Sequence, residues 1–377
     1  MVTYLDYNAS APLDKRVLEK MIDVYTNHYG NSESRTHIYG ANAKEIVSSA
    51  RDSVAAILGV DSTDLIFTSG STESNNMAIF GLQEYAEKTG KKHLITTAIE
   101  HKSVLEPMKH LQKCGYDVDI VYPDETGAVK ADDVLNRVRD DTLLVSVMFV
   151  NSETGIIQPV QEIGAALHKR GVYFHIDATQ ALSLLNDKIR QTDFDMLSVA
   201  AHKIGGPQGI GALVLKTNRK TYMRPQVSNI IYGGTQERGF RPGTTPVALV
   251  AGFGLAAQIC MDESVDNYRK CEEIKSQFMR AVDGLEYHVN GDPKKCLPST
   301  INIGFKGIDA ESIFVAMKEN YAFSNGSACN ASLHKPSYVL MAMGLSDDLV
   351  SESVRLSWSG QTRVDFSELV KYIRSMN

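Results

Sequence analysis

Five polar positions, each directly after or inside a short apolar run, carry residue types that could act together on an amine-bearing substrate. Lys203 sits in "SVAAHKIGGPQGIGALVL", after an apolar run and before a glycine-rich turn. A lysine held near apolar surroundings has its charged form disfavoured, so its amine becomes nucleophilic and able to form a Schiff base. An ordinary surface lysine at a strand end fits the same local sequence. Asp177 ends the run "VYFHID", where a carboxylate could hold a cationic ring nitrogen or cap a helix. "FTSGSTESNN" passes from a strand through Gly70 into a helix. Free amides there, with the hydroxyls of Ser71 and Thr72, would make a phosphate cradle, and plain N-capping by Thr72 is the alternative. His101, in "AIEHKSV", could stack on an aromatic group, shuttle a proton, or be a satisfied structural histidine. Arg355, inside "SVRLSWS", alternates with apolar neighbours. Its planar fork suits a substrate carboxylate or an internal ion pair.

A sixth position stands apart. Cys329, in "NGSACNASLHKPSYVL", has only small polar neighbours in a loop-like stretch, although cysteine is among the most buried residue types. Its sulfur is either incidental or must reach something. The other cysteines are Cys114, Cys260, Cys271 and Cys296, with no C-x-x-C pair. An odd number of unpaired thiols reads as a reduced cytosolic set, and neither a disulfide framework nor a zinc site is expected.

The elements that must position these residues follow from periodicity. "PLDKRVLEKMIDVYTNHYG" carries Val17, Leu18, Met21, Ile22 and Tyr25 on a helical stripe, and a second helix carries Ile46, Ala50, Val54 and Ile57 before Gly59. The apolar runs "DLIFTSG", "KHLITTA", "DVDIVYP", "TLLVSVMFV", "VYFHIDA" and "DMLSVAA" alternate with helix-like segments at 73–88, 102–113 and 159–170. Such alternation predicts an α/β fold whose mostly parallel sheet is covered by helices on both faces. In that architecture ligands bind beyond the carboxyl ends of the strands, where the polar residues above fall. "PVALVAGFGLAAQICM" at 246–261 reads as a buried helix, shorter than the roughly 20 residues of a membrane span. Beyond about residue 256 come a polar helix at 264–282, the strands "STINIGF" and "SVRLSWS", and further helices. The expected division is a large domain over 13–256 and a smaller α/β domain formed by 1–12 and 257–377.

Composition limits the function classes. The apolar share is 43%, the charged share 22% and the net charge −6, as in a globular protein with no general polyanion-binding surface. No basic region followed by an apolar run opens the chain, so a cytoplasmic location is expected, with no membrane and no direct nucleic-acid contact. "GGPQGIG" lacks a Walker lysine and does not lie between a strand and a helix, which argues against a nucleotide loop.

Together the motifs "FTSGSTESNN", "EHKSV", "HIDATQ", "HKIGGPQGIGAL", "GGTQERGFRPGT" and "SNGSACNASLHKPSYVLMAMG" resemble the NifS/IscS-like cysteine desulfurases. These form part of the class V aminotransferase branch of the fold-type I pyridoxal-phosphate enzymes. The resemblance runs from "YLDYNASAPLD" to about residue 370. It implies a pyridoxal 5'-phosphate cofactor bound through Lys203, with Asp177 at the pyridinium nitrogen, His101 stacked on the ring and Gln180 near its phenolic oxygen. Ser71, Thr72 and His202 would hold the phosphate, and Thr244 would reach the phosphate of a neighbouring subunit in a homodimer. Arg355 would clamp the carboxylate of L-cysteine. Cys329 would become a persulfide, leaving alanine, and would pass sulfur to a protein acceptor, either a scaffold or a modification enzyme. No resident metal is implied, although Cys329 could serve as a transient cluster ligand.

Two positions depart from the family pattern. Ser152 stands where an asparagine contacts the cofactor, which shifts that contact onto Ser152 or Asn151, the latter also expected near substrate. Ala200 stands where a phosphate-binding serine is common. The chain closes on "VKYIRSMN", without the longer tail that docks the iron–sulfur scaffold, so the acceptor could serve cluster assembly, tRNA thiolation or DNA phosphorothioation. Rival readings are a selenocysteine lyase, an aminotransferase, and a non-catalytic protein that keeps the fold.

Overall fold

The computed structural model describes residues 2–325 and 336–376. After a two-residue strand, β1 (Thr3–Tyr4), six of the apolar runs become β2 (Leu65–Thr68), β3 (His93–Thr97), β4 (Asp117–Val121), β5 (Thr142–Ser146), β6 (Tyr173–Asp177) and β7 (Met196–Ala200). A seventh strand, β8 (Gly211–Leu215), follows the glycine-rich turn and was not anticipated as a strand. These seven form one sheet in the order β2-β8-β7-β6-β5-β3-β4. The run from β4 to β7 is parallel, and β8 lies antiparallel to both β7 and β2.

Side chains alternate between two separate cores, which is why the strands read as continuous apolar runs. Leu65, Phe67, Ile95, Val145, Leu197 and Val214 pack into one core. Ile66, Leu94, Leu144, Met196 and Leu213 pack into the other. With a side-chain period of two, a strand buried on both faces must be apolar throughout. The mostly parallel, helix-covered α/β sheet is therefore as expected.

Helices differ from the sequence reading in two places. The expected 73–88 helix breaks into Ser71–Phe80 and Gln83–Thr89. At the break Gly81 lies where an added Cβ would meet Val227, and its carbonyl accepts from the Ser228 amide at 2.7 Å. Conversely, the apolar segment at 246–261 and the polar one at 264–282 form a single 35-residue helix, Val247–Ala281. It passes uninterrupted through residue 256, the expected domain boundary. By length and composition alone it could cross a bilayer, but its first half buries Val250, Phe253 and Ala257 in the core. A Cβ at Gly254 would stand 2.6 Å from Ala50, so this glycine lets the helix lie close against the Ile38–Leu58 helix.

A second sheet, of order β12-β10-β9, is built from β9 (Tyr287–Val289), β10 (Thr300–Phe305) and β12 (Ser353–Ser357), all antiparallel. Between β10 and β12 in the chain, β11 (Tyr321–Ala322) pairs in parallel with β1. The first residues of the chain thus join the C-terminal part, and residues 5–10 lead from there toward the carboxyl end of the large sheet.

Candidate active site

The strand ends of the large sheet and the N-terminal segment enclose a cavity of about 290 Å³. It is lined by Ser71, Thr72, His101, Ser152, Asp177, Gln180, His202, Lys203 and Arg355 among others. Nine of the predicted residues, scattered over 285 positions of sequence, are therefore brought to one place by the topology.

Asp177 is the last residue of β6 and opens into the cavity. Its Oδ2 accepts from Asn75 Nδ2 at 2.8 Å and its Oδ1 from the Thr179 amide at 3.0 Å. It caps no helix. Every donor it receives from the described residues is neutral, and no cation among them is paired with it directly. Thr179 also lines the cavity, and its buried Oγ1 has no hydrogen-bond partner among the described residues.

The helix Ser71–Phe80 begins without a side-chain cap. Its N-cap is Gly70, at φ 153°, a conformation that requires glycine. Thr72 therefore does not cap the helix, and its hydroxyl and that of Ser71 lie beside uncapped first-turn amides. This is the donor set an anion such as a phosphate needs. A Cβ at Gly211 would sit 2.7 Å from Gly70, so the return strand can pass this close only without a side chain.

Lys203 follows β7 on a single 3₁₀ turn, Ala201–Lys203. Its Nζ donates to the carbonyls of Asn8 and, at 2.8 Å, Ala9. Gln180 Nε2 donates to the same Asn8 carbonyl at 2.9 Å. Asn8 thereby links the two residues, and nothing in its own sequence context signalled that role. Burial, reinforced by the neighbouring Lys203 charge, drives His202 down to about 4. Its neutral ring can still donate one N–H.

His101 caps the helix Lys102–Lys113 through Nδ1, which accepts from the Ser103 amide at 3.1 Å. Burial lowers its pKa, Lys203 and Lys102 act in the same direction, and Asp177 opposes them. Adjacent Glu100 is wholly buried and is pushed up to about 8, chiefly by loss of solvent. Its Oε1 accepts from Thr97 Oγ1 at 2.6 Å and the Met148 amide at 2.9 Å.

Arg355, at the middle of β12, is only 2% exposed. It combines both readings of the sequence, since it lines the cavity and also forms an ion pair with Asp6. Its Nη1 donates to the Ser152 carbonyl at 3.0 Å and its Nη2 to Ser324 Oγ at 2.9 Å. Glu153 lies beside it, raised by burial and bonded to Ser337 Oγ at 2.5 Å.

One expectation comes out differently. Asn151 does not line the cavity. Its Oδ1 accepts from the amides of Glu153 and Thr154, each at 2.9 Å, and its Nδ2 donates to the Ile99 carbonyl at 3.0 Å. Those bonds build the turn that presents Ser152 and Glu153, so Asn151 shapes the wall without being part of it. Ala200, where no phosphate contact is expected, is fully buried and absent from the lining. Thr244 is exposed, in the segment before the helix Val247–Ala281, and is also away from the cavity. Cys329 lies outside the described residues.

The residues present fit pyridoxal 5'-phosphate. A buried carboxylate with only neutral donors among the described residues, an uncapped helix N-terminus and a lysine amine meet in one cavity, as the cofactor's ring nitrogen, phosphate and aldehyde require.

Comparison with known proteins points the same way. The family described as aminotransferase class-V matches residues 3–363. The cysteine desulfurase IscS of Neisseria meningitidis serogroup C (strain 053442) is 40% identical over 376 residues, covering 98% of this chain and 91% of that protein. Among solved structures, a NifS-like protein superposes with a TM-score of 0.89 at 32% identity, covering 100% of this chain and 99% of that one. DndA from Streptomyces lividans does so with a TM-score of 0.83 at 40% identity, covering 95% and 99%. The chain belongs to the class V aminotransferase family and, within it, to the cysteine desulfurases.

Proposed function

We propose that this chain takes the sulfur from free L-cysteine with pyridoxal 5'-phosphate as cofactor, releases L-alanine, and carries the sulfur as a persulfide on Cys329. The observation that supports this reading best is the meeting of Asp177, Lys203, the uncapped helix at Ser71 and the guanidinium of Arg355 around one cavity.

When bound, the cofactor supplies an electron sink for charge developing at the substrate α-carbon. Asp177 would hold its ring nitrogen, Ser71, Thr72 and His202 its phosphate, and Gln180 its phenolic oxygen. Lys203 would be its covalent anchor, and the freed amine of Lys203 would then take the α-proton. Arg355 binds the substrate carboxylate by charge-assisted hydrogen bonds and so orients the amino acid. Buried His101 keeps a neutral ring near pH 7, able to give or accept one proton. The Cys329 thiolate attacks the substrate sulfur, the S–S bond forms as the Cβ–S bond breaks, and the electron pair stays with carbon. Protonation there completes alanine. The bound sulfur then leaves to an acceptor protein of cluster assembly, tRNA thiolation or DNA phosphorothioation.

A cytoplasmic homodimer is part of the proposal. The exposure of Thr244, away from its own subunit's cavity, supports its contact with a neighbouring subunit's phosphate.

Purified enzyme, mixed with L-cysteine and assayed for alanine and sulfide together, tests the reading. Cys329→Ser should bind cofactor and substrate normally yet release no sulfide. Lys203→Ala should lose the borohydride-reducible link between cofactor and protein. A Cys329→Ser variant that turns over at the wild-type rate would overturn the role of the cysteine, and a wild type that makes neither product would overturn the activity.

A further inference from the structure

A line of hydrogen bonds runs from Asp177 to His101 through two residues that do not line the cavity. Asn75 lies one turn into the helix Ser71–Phe80 and is completely buried. Its Nδ2 donates both hydrogens, one to Asp177 Oδ2 and one to Ser103 Oγ, each at 2.8 Å. Ser103, in the first turn of the helix Lys102–Lys113, has Oγ only 2.7 Å from His101 Nδ1.

The polarity of this line is determined from one end. A carboxylate can only accept, so the amide nitrogen of Asn75 must face Asp177. The same nitrogen then donates its second hydrogen to Ser103 Oγ. With that lone pair engaged, the hydroxyl hydrogen of Ser103 is free to point at Nδ1. The backbone N–H of Ser103 donates to Nδ1 as well. Nδ1 is therefore an acceptor twice over, and the proton of the neutral ring belongs on Nε2. Nε2 has no hydrogen-bond partner among the described residues, and the ring forms part of the cavity wall.

We propose that Asn75 and Ser103 are positioning residues that lock His101 in the Nε2-protonated tautomer, so that His101 presents an N–H to the cavity and its orientation depends on the carboxylate of Asp177. This deepens the proposed function and rests on it. The groups that would hold the cofactor nitrogen and move a substrate proton are then one connected unit. A donor to Nδ1 favours the neutral ring over the charged one, because the imidazolium carries a hydrogen there and cannot accept. Among the described residues, the charged and titratable groups around the ring are Asp177 on the large sheet, Lys203 after β7, and Lys102 and Glu100 on its own segment.

The test is Ser103→Ala, which removes one donor to Nδ1 and leaves the backbone donor. Nitrogen-15 NMR of histidine-labelled, cofactor-free protein, with His101 assigned by the loss of its signals in His101→Gln, reads tautomer and titration directly. In the wild type Nδ1 should resonate as the unprotonated nitrogen. In Ser103→Ala the titration of His101 should move up by about half to one pH unit, the equivalent of one neutral hydrogen bond. In the loaded enzyme the acid limb of the kcat profile for alanine formation should move by the same amount, with KM for L-cysteine and cofactor content unchanged. Ser103→Thr, which keeps the hydroxyl, should restore both. A protonated Nδ1 in the wild type, or a His101 titration that ignores Ser103→Ala, would overturn the inference. A wild type making no alanine would instead overturn the activity, and the NMR arm would still stand on its own.

Discussion

Asp177 and Arg355 face one cavity from two sheets, and their charges are held in opposite ways. Among the described residues, Asp177, at the end of β6, receives hydrogen bonds only from the amide of Asn75 and a backbone N–H. Those neutral donors orient the carboxylate without supplying a cation, which leaves it available to a cationic ligand atom. Arg355, in the middle of β12, is already paired with the Asp6 carboxylate and bonded to the Ser152 carbonyl and Ser324. A buried guanidinium without such partners would be strongly destabilising. The large sheet thus supplies an uncompensated charge for chemistry. The small sheet supplies a compensated one whose remaining capacity is for orientation.

The comparison gives three expectations of decreasing size. Asp177→Asn keeps the shape and removes the charge, so kcat for alanine formation should fall by roughly 10²- to 10³-fold, as for loss of a preorganised electrostatic partner. A drop of less than tenfold in steady-state kinetics would mean that the uncompensated charge is not used. Arg355→Lys retains a cation and loses the fork, and an ammonium cannot span Asp6, Ser152 and a substrate carboxylate together. KM for L-cysteine should rise by about 10- to 100-fold, with a smaller change in kcat. Equal losses in both would show that Arg355 serves the chemical step rather than orientation.

The smallest effect sharpens what neutral donors can do. Glu100 also receives two of them, yet it is wholly buried and its pKa rises to about 8. Below its ordinary value of 4.5 both folded and unfolded chains hold the proton. Between that value and about 8 the folded chain holds it and the unfolded chain does not, so stability falls as pH rises through this window. Glu100→Gln should match the wild type near pH 5 and melt a few degrees higher at pH 8.5. Identical melting curves at the higher pH would mean that burial does not raise the pKa of Glu100. Two neutral donors do not offset complete burial at Glu100.

Much of the site was legible because chemistry and topology coincide. Apolar runs alternating with helical stripes place their polar terminal residues at one sheet end, so Lys203, Asp177, His101, Ser71 and Thr72 could be found from the chain alone. Asn75 and Ser103 each look like an ordinary polar helix residue in the sequence; only the packing of their two helices on each other, and of the Ser71–Phe80 helix on β6, joins them to Asp177. Asn151 is expected in the wall because the family's asparagine contact, replaced here by Ser152, could pass to it. A turn that folds the Asn151 side chain back onto its own amides cannot be seen in "VNSETG". The 35-residue helix was divided in two because its burial changes midway, while its backbone has no break.

By itself the sequence determined the class of sheet, the end of it that carries the site, and the residue types available for chemistry. Periodicity and residue chemistry are local and survive in a linear string. The tertiary structure decided how each charge is compensated, which nitrogen of His101 carries the proton, and how Asp6 and Asn8 come from the start of the chain to meet Arg355 and Lys203. Those depend on distances of about 3 Å between groups far apart in sequence, which no local pattern encodes.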